Sequence, residues 1–179
     1  MSYELYLQDR KKGNKLFELV YKAAQEFNGR VIAPNGIRTI EGGILSYGGD
    51  FGREHNPFTI GLGRLVDVDQ DIDFIGKEAL RKIKEKGPTQ KLVGLELEGD
   101  PIIKAPENFW HVNNSDKKVG RLSRAFFSPR LKKNIGLAIV DIDFAEEGTE
   151  LSVKSPNGDL HSKVVSLPWF RADKETHLD

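Results

Sequence analysis

From residue 91 to residue 166 the chain is a succession of short runs in which apolar side chains recur at every second position, each closed by turn-forming residues. A period of two sends alternate side chains to opposite faces, which suits strands and does not fit a helix. Runs at 91–98, 119–127, 135–142, 150–154 and 160–166 are the expected strands. Between the last two, Pro156-Asn157-Gly158 predicts a hairpin, because Asn-Gly tolerates the positive φ angles of a two-residue turn. Strands this short, separated by turns this tight, predict a compact antiparallel β-barrel.

The first half reads differently. Residues 3–8 alternate aromatic or aliphatic with polar side chains, the pattern of a strand buried on one face. Leu16, Leu19, Val20, Ala23, Ala24 and Phe27 then follow helical spacing, with Asn14 as the expected N-cap and Asn28-Gly29 as the stop. This predicts an amphipathic helix covering a sheet. An opening strand with no partner before it leaves its edge groups unsatisfied, which predicts that further chain belongs upstream. Residues 30–75 are dense in glycine, as tight turns and close backbone approaches require. A second helix is expected at 76–86, with Ala79, Leu80 and Ile83 on its apolar side and Gly87-Pro88 ending it. The expected fold class is α+β: an antiparallel sheet with flanking helices over 1–87, then the small barrel over 88–179.

The 27 basic residues balance the 27 acidic ones, so the chain lacks the positive excess on which a general nucleic-acid or membrane-surface binder relies. A small polar ligand suits it better. Without cysteine there is no disulfide, thiolate metal site or thiol nucleophile. The N-terminus lacks an apolar signal core, and cytoplasmic residence is the expectation. His55, His111, His161 and His177 show neither metal-ligand spacing nor an accompanying nucleophile pattern, and are expected to be structural or on the surface. Trp110 and Trp169 are expected to cover the barrel.

Four phrases carry a resemblance: RTIEGG from Arg38, SYGGD from Ser46, DFIGKEAL from Asp73 and SPRLKKNIG from Ser128, in that order. They resemble the aminomethyltransferase family, the folate-dependent group that includes the glycine-cleavage T-protein and dimethylsulfoniopropionate demethylase. The resemblance implies the C-terminal half of such a protein, ending in a β-barrel packed over a folate-binding core. It implies tetrahydrofolate as cofactor, and a small-molecule methyl or aminomethyl donor as substrate. It also implies that residues of the N-terminal half complete the catalytic site, so that no catalytic residue is assigned here and the chain by itself is expected not to turn over. Asn56-Pro57-Phe58, where T-proteins usually read Thr-Pro, leans toward the demethylase branch.

Glu41 stands at the position of a folate contact in the family. A carboxylate can accept the paired N–H donors along a pterin edge, which gives orientation as well as affinity. Arg38, three residues earlier, is placed by a helical turn on the same face, where it would keep that carboxylate ionised. Tyr47 is the candidate to stack on an aromatic ligand, and Asp50 to cap the following turn. The basic run Lys117, Lys118, Arg121, Arg124, Arg130, Lys132 and Lys133 reads either as a solvated face or as a positive patch for ligand carboxylates. Two other readings are a non-catalytic folate-binding module and an inactive truncated product. The iron–sulfur maintenance group that would supply the former carries a Cys-containing motif that this cysteine-free chain lacks.

Overall fold

A computed structural model describes residues 3–32 and 35–170. They fall into two units by contact, Met1–Asn35 and Gly36–Asp179. In the second unit the alternating runs close into an antiparallel barrel of six strands: β1 Gln90–Leu97, β2 Trp110–Asn114, β3 Lys117–Ser128, β4 Lys133–Asp141, β5 Glu150–Ser155 and β6 Gly158–Val165. Their order around the barrel is β1-β4-β3-β2-β5-β6, with β6 returning to β1. All five expected strands are present. The sixth, β2, was not anticipated, although its Trp-His-Val alternation and the Asn-Asn-Ser-Asp turn after it carried the signal.

The hairpin between β5 and β6 forms one residue earlier than the Asn-Gly reading placed it. Ser155 pairs with Gly158, so Pro156 and Asn157 are the turn residues, and the positive φ of 118° falls on Gly158. Proline's ring fixes φ near −65° and bars it from the left-handed position, which moves that requirement along to the glycine.

Inside the barrel, Leu95, Val112, Leu122, Val140, Val153 and Val164 are fully buried. Each contributes about 1.5–3 kcal/mol by leaving water. Strand β4 is buried on both faces from Asn134 to Val140. Ala138 and Val140 face the barrel core, whereas Ile135 and Leu137 form a second cluster outside it with Ile40. Leu45, Phe126, Leu131, Leu167 and Trp169 complete that cluster. The glycine-rich segment is thereby packed on the outer wall of β3 and β4.

That segment is introduced by a short helix, α2 (Gly36–Glu41), which rests on β3 and β4. The helix ends by returning the N–H of Gly43 to the Ile40 carbonyl (2.9 Å) and that of Ile44 to Thr39 (2.8 Å). This C-terminal motif needs a left-handed residue, and Gly43 supplies it at φ 62°. The last helix, α3 (Lys77–Lys86), ends at Gly87 as expected. It presents Lys77, Arg81 and Lys84 to the acidic loop before it. Lys77 Nζ donates to the carbonyls of Gln70 (2.5 Å) and Ile72 (3.1 Å), and Arg81 Nη2 to that of Val68 (2.8 Å). Lys84 Nζ lies 2.6 Å from Asp69 Oδ2.

The first unit holds α1 (Gly13–Gln25) and departs from expectation in three ways. Residues 3–8 form no strand, because no described segment offers them a ladder. Nor is Asn14 the cap: a 3₁₀ turn, Arg10–Lys12, runs into the helix, and Asp9 takes the Lys11 N–H at 3.0 Å. Finally, no sheet among the described residues of its own unit is there for α1 to cover. None of its residues is buried, and Phe17 stacks on Tyr21 with ring centroids 5.9 Å apart. Its stop is as expected, with Asn28 at φ 56° and the Gly29 N–H returned to the Ala24 carbonyl at 2.7 Å.

Candidate functional site

The barrel wall brings the first and last of the four phrases together. Glu41 closes α2 and turns its side chain inward, only 5% of the residue remaining exposed. Ser128, at the end of β3 and wholly buried, donates its hydroxyl to Glu41 Oε1 at 2.6 Å. The same hydroxyl accepts the Leu131 N–H at 3.1 Å, fixing the turn that leads into β4. Arg130 Nη1 stands 4.0 Å from Glu41 Oε2, and the guanidinium lies 4.1 Å above the Phe170 ring. Phe170 in turn donates its N–H to the Glu41 carbonyl at 3.1 Å. Glu41 is therefore an enclosed carboxylate with one oxygen taken by Ser128 and the other facing a cation at long range.

Arg38 and Tyr47 are carried by the same segment and are exposed. Tyr47, 66% exposed, meets Phe51 edge to face with centroids 5.6 Å apart, leaving a ring face open. Asp50 acts on the preceding turn, where sequence placed it on the following one. Its Oδ2 accepts the Ser46 N–H at 2.7 Å and Arg124 Nη2 at 2.6 Å, while Oδ1 accepts Arg124 Nε at 2.8 Å and Ser123 Oγ at 2.7 Å. Arg124 also donates to Thr39 Oγ1 at 2.9 Å and to the Ile44 carbonyl at 2.8 Å. Two consecutive residues reach one carboxylate because β3 bulges between Leu122 and Arg124, which turns both side chains to the same side.

The basic run is thus not a continuous positive patch. Arg124 is paired with Asp50, Arg121 with Glu54 at 3.2 Å, Lys133 with Glu96 at 2.6 Å, and Arg130 stands off Glu41. The acidic partners come from segments distant in sequence and could not be read from the run itself. The Glu54 carboxyl is held below its ordinary range by its own backbone N–H, against partial desolvation, and then by His55 and Arg121. His55 sits between the Gly52 N–H (3.1 Å to Nδ1) and Arg121 (3.4 Å to Nε2), a role in the loop's framework. Among the described residues no group of acidic, histidine or cysteine side chains has metal-holding geometry, and His177 lies outside those residues. Trp110 and Trp169 pack on the barrel's inner and outer clusters as expected. Asn56, the residue that leaned toward one branch, takes the N–H groups of Phe58 and Thr59 at 3.0 Å each. A threonine hydroxyl does the same kind of work, so this position carries no information about the one-carbon donor.

Beside Gly42 and Gly43 a cleft of about 730 Å³ opens between this loop and the β1–β6 end of the barrel. No helix among the described residues is long and apolar enough to cross a membrane.

An α+β chain that ends in a closed six-stranded barrel, with a glycine-rich loop pinned to the barrel's outer wall by Glu41 and Asp50, has the architecture of a T-protein-type barrel protein. Residues 90–171 match the model of the glycine cleavage T-protein C-terminal barrel domain. An aminomethyltransferase of Caldanaerobacter subterraneus is 33% identical over 174 residues, covering 94% of this chain and 44% of that protein. The dimethylsulfoniopropionate demethylase of Ruegeria pomeroyi is 31% identical over 156 residues, covering 87% of this chain and 42% of the other. The crystal structure of glycine cleavage system aminomethyltransferase T from Bartonella henselae superposes with a TM-score of 0.75 over 88% of this chain and 44% of that one, at 21% identity, which shows a shared fold. The chain belongs to the aminomethyltransferase, or glycine-cleavage T-protein, family and corresponds to its C-terminal half. It spans less than half the length of these relatives.

Proposed function

We propose that the chain is the C-terminal part of a tetrahydrofolate-dependent one-carbon transferase, acting on a small methyl or aminomethyl donor in the cytoplasm. The observation that carries this reading is the Glu41–Ser128 bond, which joins two phrases 87 residues apart and leaves the second carboxylate oxygen with only Arg130 near it, at 4.0 Å. The donor set fits a reduced pterin: an acceptor for its edge N–H groups in Glu41 Oε2, an open aromatic face in Tyr47, and a cation in Arg38. With Oε1 engaged by Ser128, Glu41 would grip the ring chiefly through its other oxygen, a tighter restriction than the paired grip expected from sequence.

Bound tetrahydrofolate would supply the nitrogen that accepts the one-carbon unit. This chain's residues would hold and orient it. Rate would come from alignment of two bound molecules, and the N-terminal segment of the family is the proposed partner that supplies the donor's side of the pocket. Tryptophan fluorescence of the chain titrated with tetrahydrofolate tests the binding step. Tyr47→Ala is the informative variant: the side chain is exposed, so stability should move by less than about 0.5 kcal/mol, while affinity falls about tenfold, the order of a lost stacking contact. Unaltered affinity in both Tyr47→Ala and Arg38→Ala would remove the proposed site. One-carbon transfer by the 179 residues alone would overturn the need for a partner segment.

A further inference from the structure

The cleft beside Gly43 has a chemistry that the folate reading does not use. Strands β1 and β6 pair only from Gly94 and Val165 to Leu97 and Ser162. Ahead of Gly94, β1 runs on without β6, its Leu92 N–H going to the Thr59 carbonyl at 2.7 Å, and the cleft lies along that stretch. Apolar residues among its lining include Ile60, Leu62, Val93 and Leu167, of which Leu62 and Leu167 are only partly buried. Arg64 and Lys91 also line it, and both are exposed. Neither has a carboxylate partner among the described residues, unlike Arg121, Arg124 and Lys133 around the same barrel. Glu147 is the single anion on the wall. Gly61, at φ 74°, has nothing within 4 Å of where a Cβ would stand, so backbone is exposed there as well.

We propose that this cleft is a binding site for an organic anion with a flat apolar body, whose acidic group is received by Arg64 and Lys91 and whose body lies against Leu62 and Leu167. Two lining cations with no internal partner keep a positive potential that a neutral pair would cancel. A guanidinium adds forked hydrogen bonds to a carboxylate. The cleft's volume of about 730 Å³ lies in the range of small-molecule sites, roughly 300–1,000 Å³. The site does not involve Glu41, Arg38 or Tyr47, so it stands or falls separately from the folate reading.

Calorimetric titration of the full chain with naphthalene-2-carboxylate and with its neutral counterpart, naphthalene-2-carboxamide, tests it. The carboxylate should bind at least tenfold more tightly than the amide. The double variant Arg64→Ser/Lys91→Ser should lower carboxylate affinity to the amide's level, with an unchanged melting temperature, because both side chains are exposed and unpaired. Glu147→Gln should strengthen carboxylate binding by removing a like charge. Equal binding of acid and amide, carboxylate affinity unaffected by the double variant, or no heat from either probe would overturn the proposal.

Discussion

Asp50 gathers four donors from two stretches of chain onto one carboxylate that is 1% exposed. Removing one member of such a buried pair leaves the other charge without compensation, which costs about 3–5 kcal/mol. Asp50→Ala should therefore lower the urea midpoint sharply, and Asp50→Asn, which keeps an acceptor, should lose less. A midpoint in Asp50→Ala equal to the parent's would show that Arg124 is satisfied elsewhere. Ser128→Ala belongs to the same class: it strips Glu41 Oε1 of its donor and Leu131 of its acceptor inside the protein, an expected loss of about 1–3 kcal/mol. These partnerships were the least legible part of the sequence. Glu41, Arg38, Asp50 and Tyr47 were identifiable as a group from their phrases, but Ser128 entered only as a letter in a motif. Arg124 looked like one more member of a basic run, since nothing in a linear reading reveals that a bulge turns it toward Asp50.

Among the elements, the strands were legible because burial on one face writes a period of two into the sequence, and β4 was legible because burial on both faces writes a continuous apolar run. Residues 3–8 carried the same period and formed nothing, since a strand exists only with a partner and periodicity is silent about partners. The acidic loop at 67–73 is the opposite case, a stretch with no readable function whose place becomes clear once α3 is seen to face it. The Lys84 ammonium holds the Asp69 carboxyl below its usual range, first by hydrogen bond and then by charge. A carboxyl depressed in the folded state stabilises at pH values above its unfolded pKa of about 3.9. That contribution is lost as pH falls through the lower folded value. Asp69→Asn should accordingly melt slightly below the parent at neutral pH, and the two melting curves should converge in strong acid. A difference that persists undiminished at the acid end would mean that the charge on Asp69 is not what ties the loop to α3.

At the scale of the whole molecule the two units differ in what holds them. The barrel unit has an inner core, an outer cluster and a ladder that closes on itself. The first unit has a thirteen-residue helix with no buried residue and large apolar side chains in water. An isolated helix of that length is marginal on its own, because its stability must come from packing its apolar face. Amide hydrogen exchange should separate them: residues 13–25 should exchange near the rate of an open chain, and β3 and β4 should be protected at least about a thousandfold, as the spread between local and global opening implies. If the family's N-terminal segment is the partner of that face, adding the corresponding segment of an aminomethyltransferase should slow exchange over 13–25 and leave β3 and β4 as they were. Protection of α1 equal to the barrel's in the chain alone would show that the helix is already packed, and the case for an external partner at that surface would be lost.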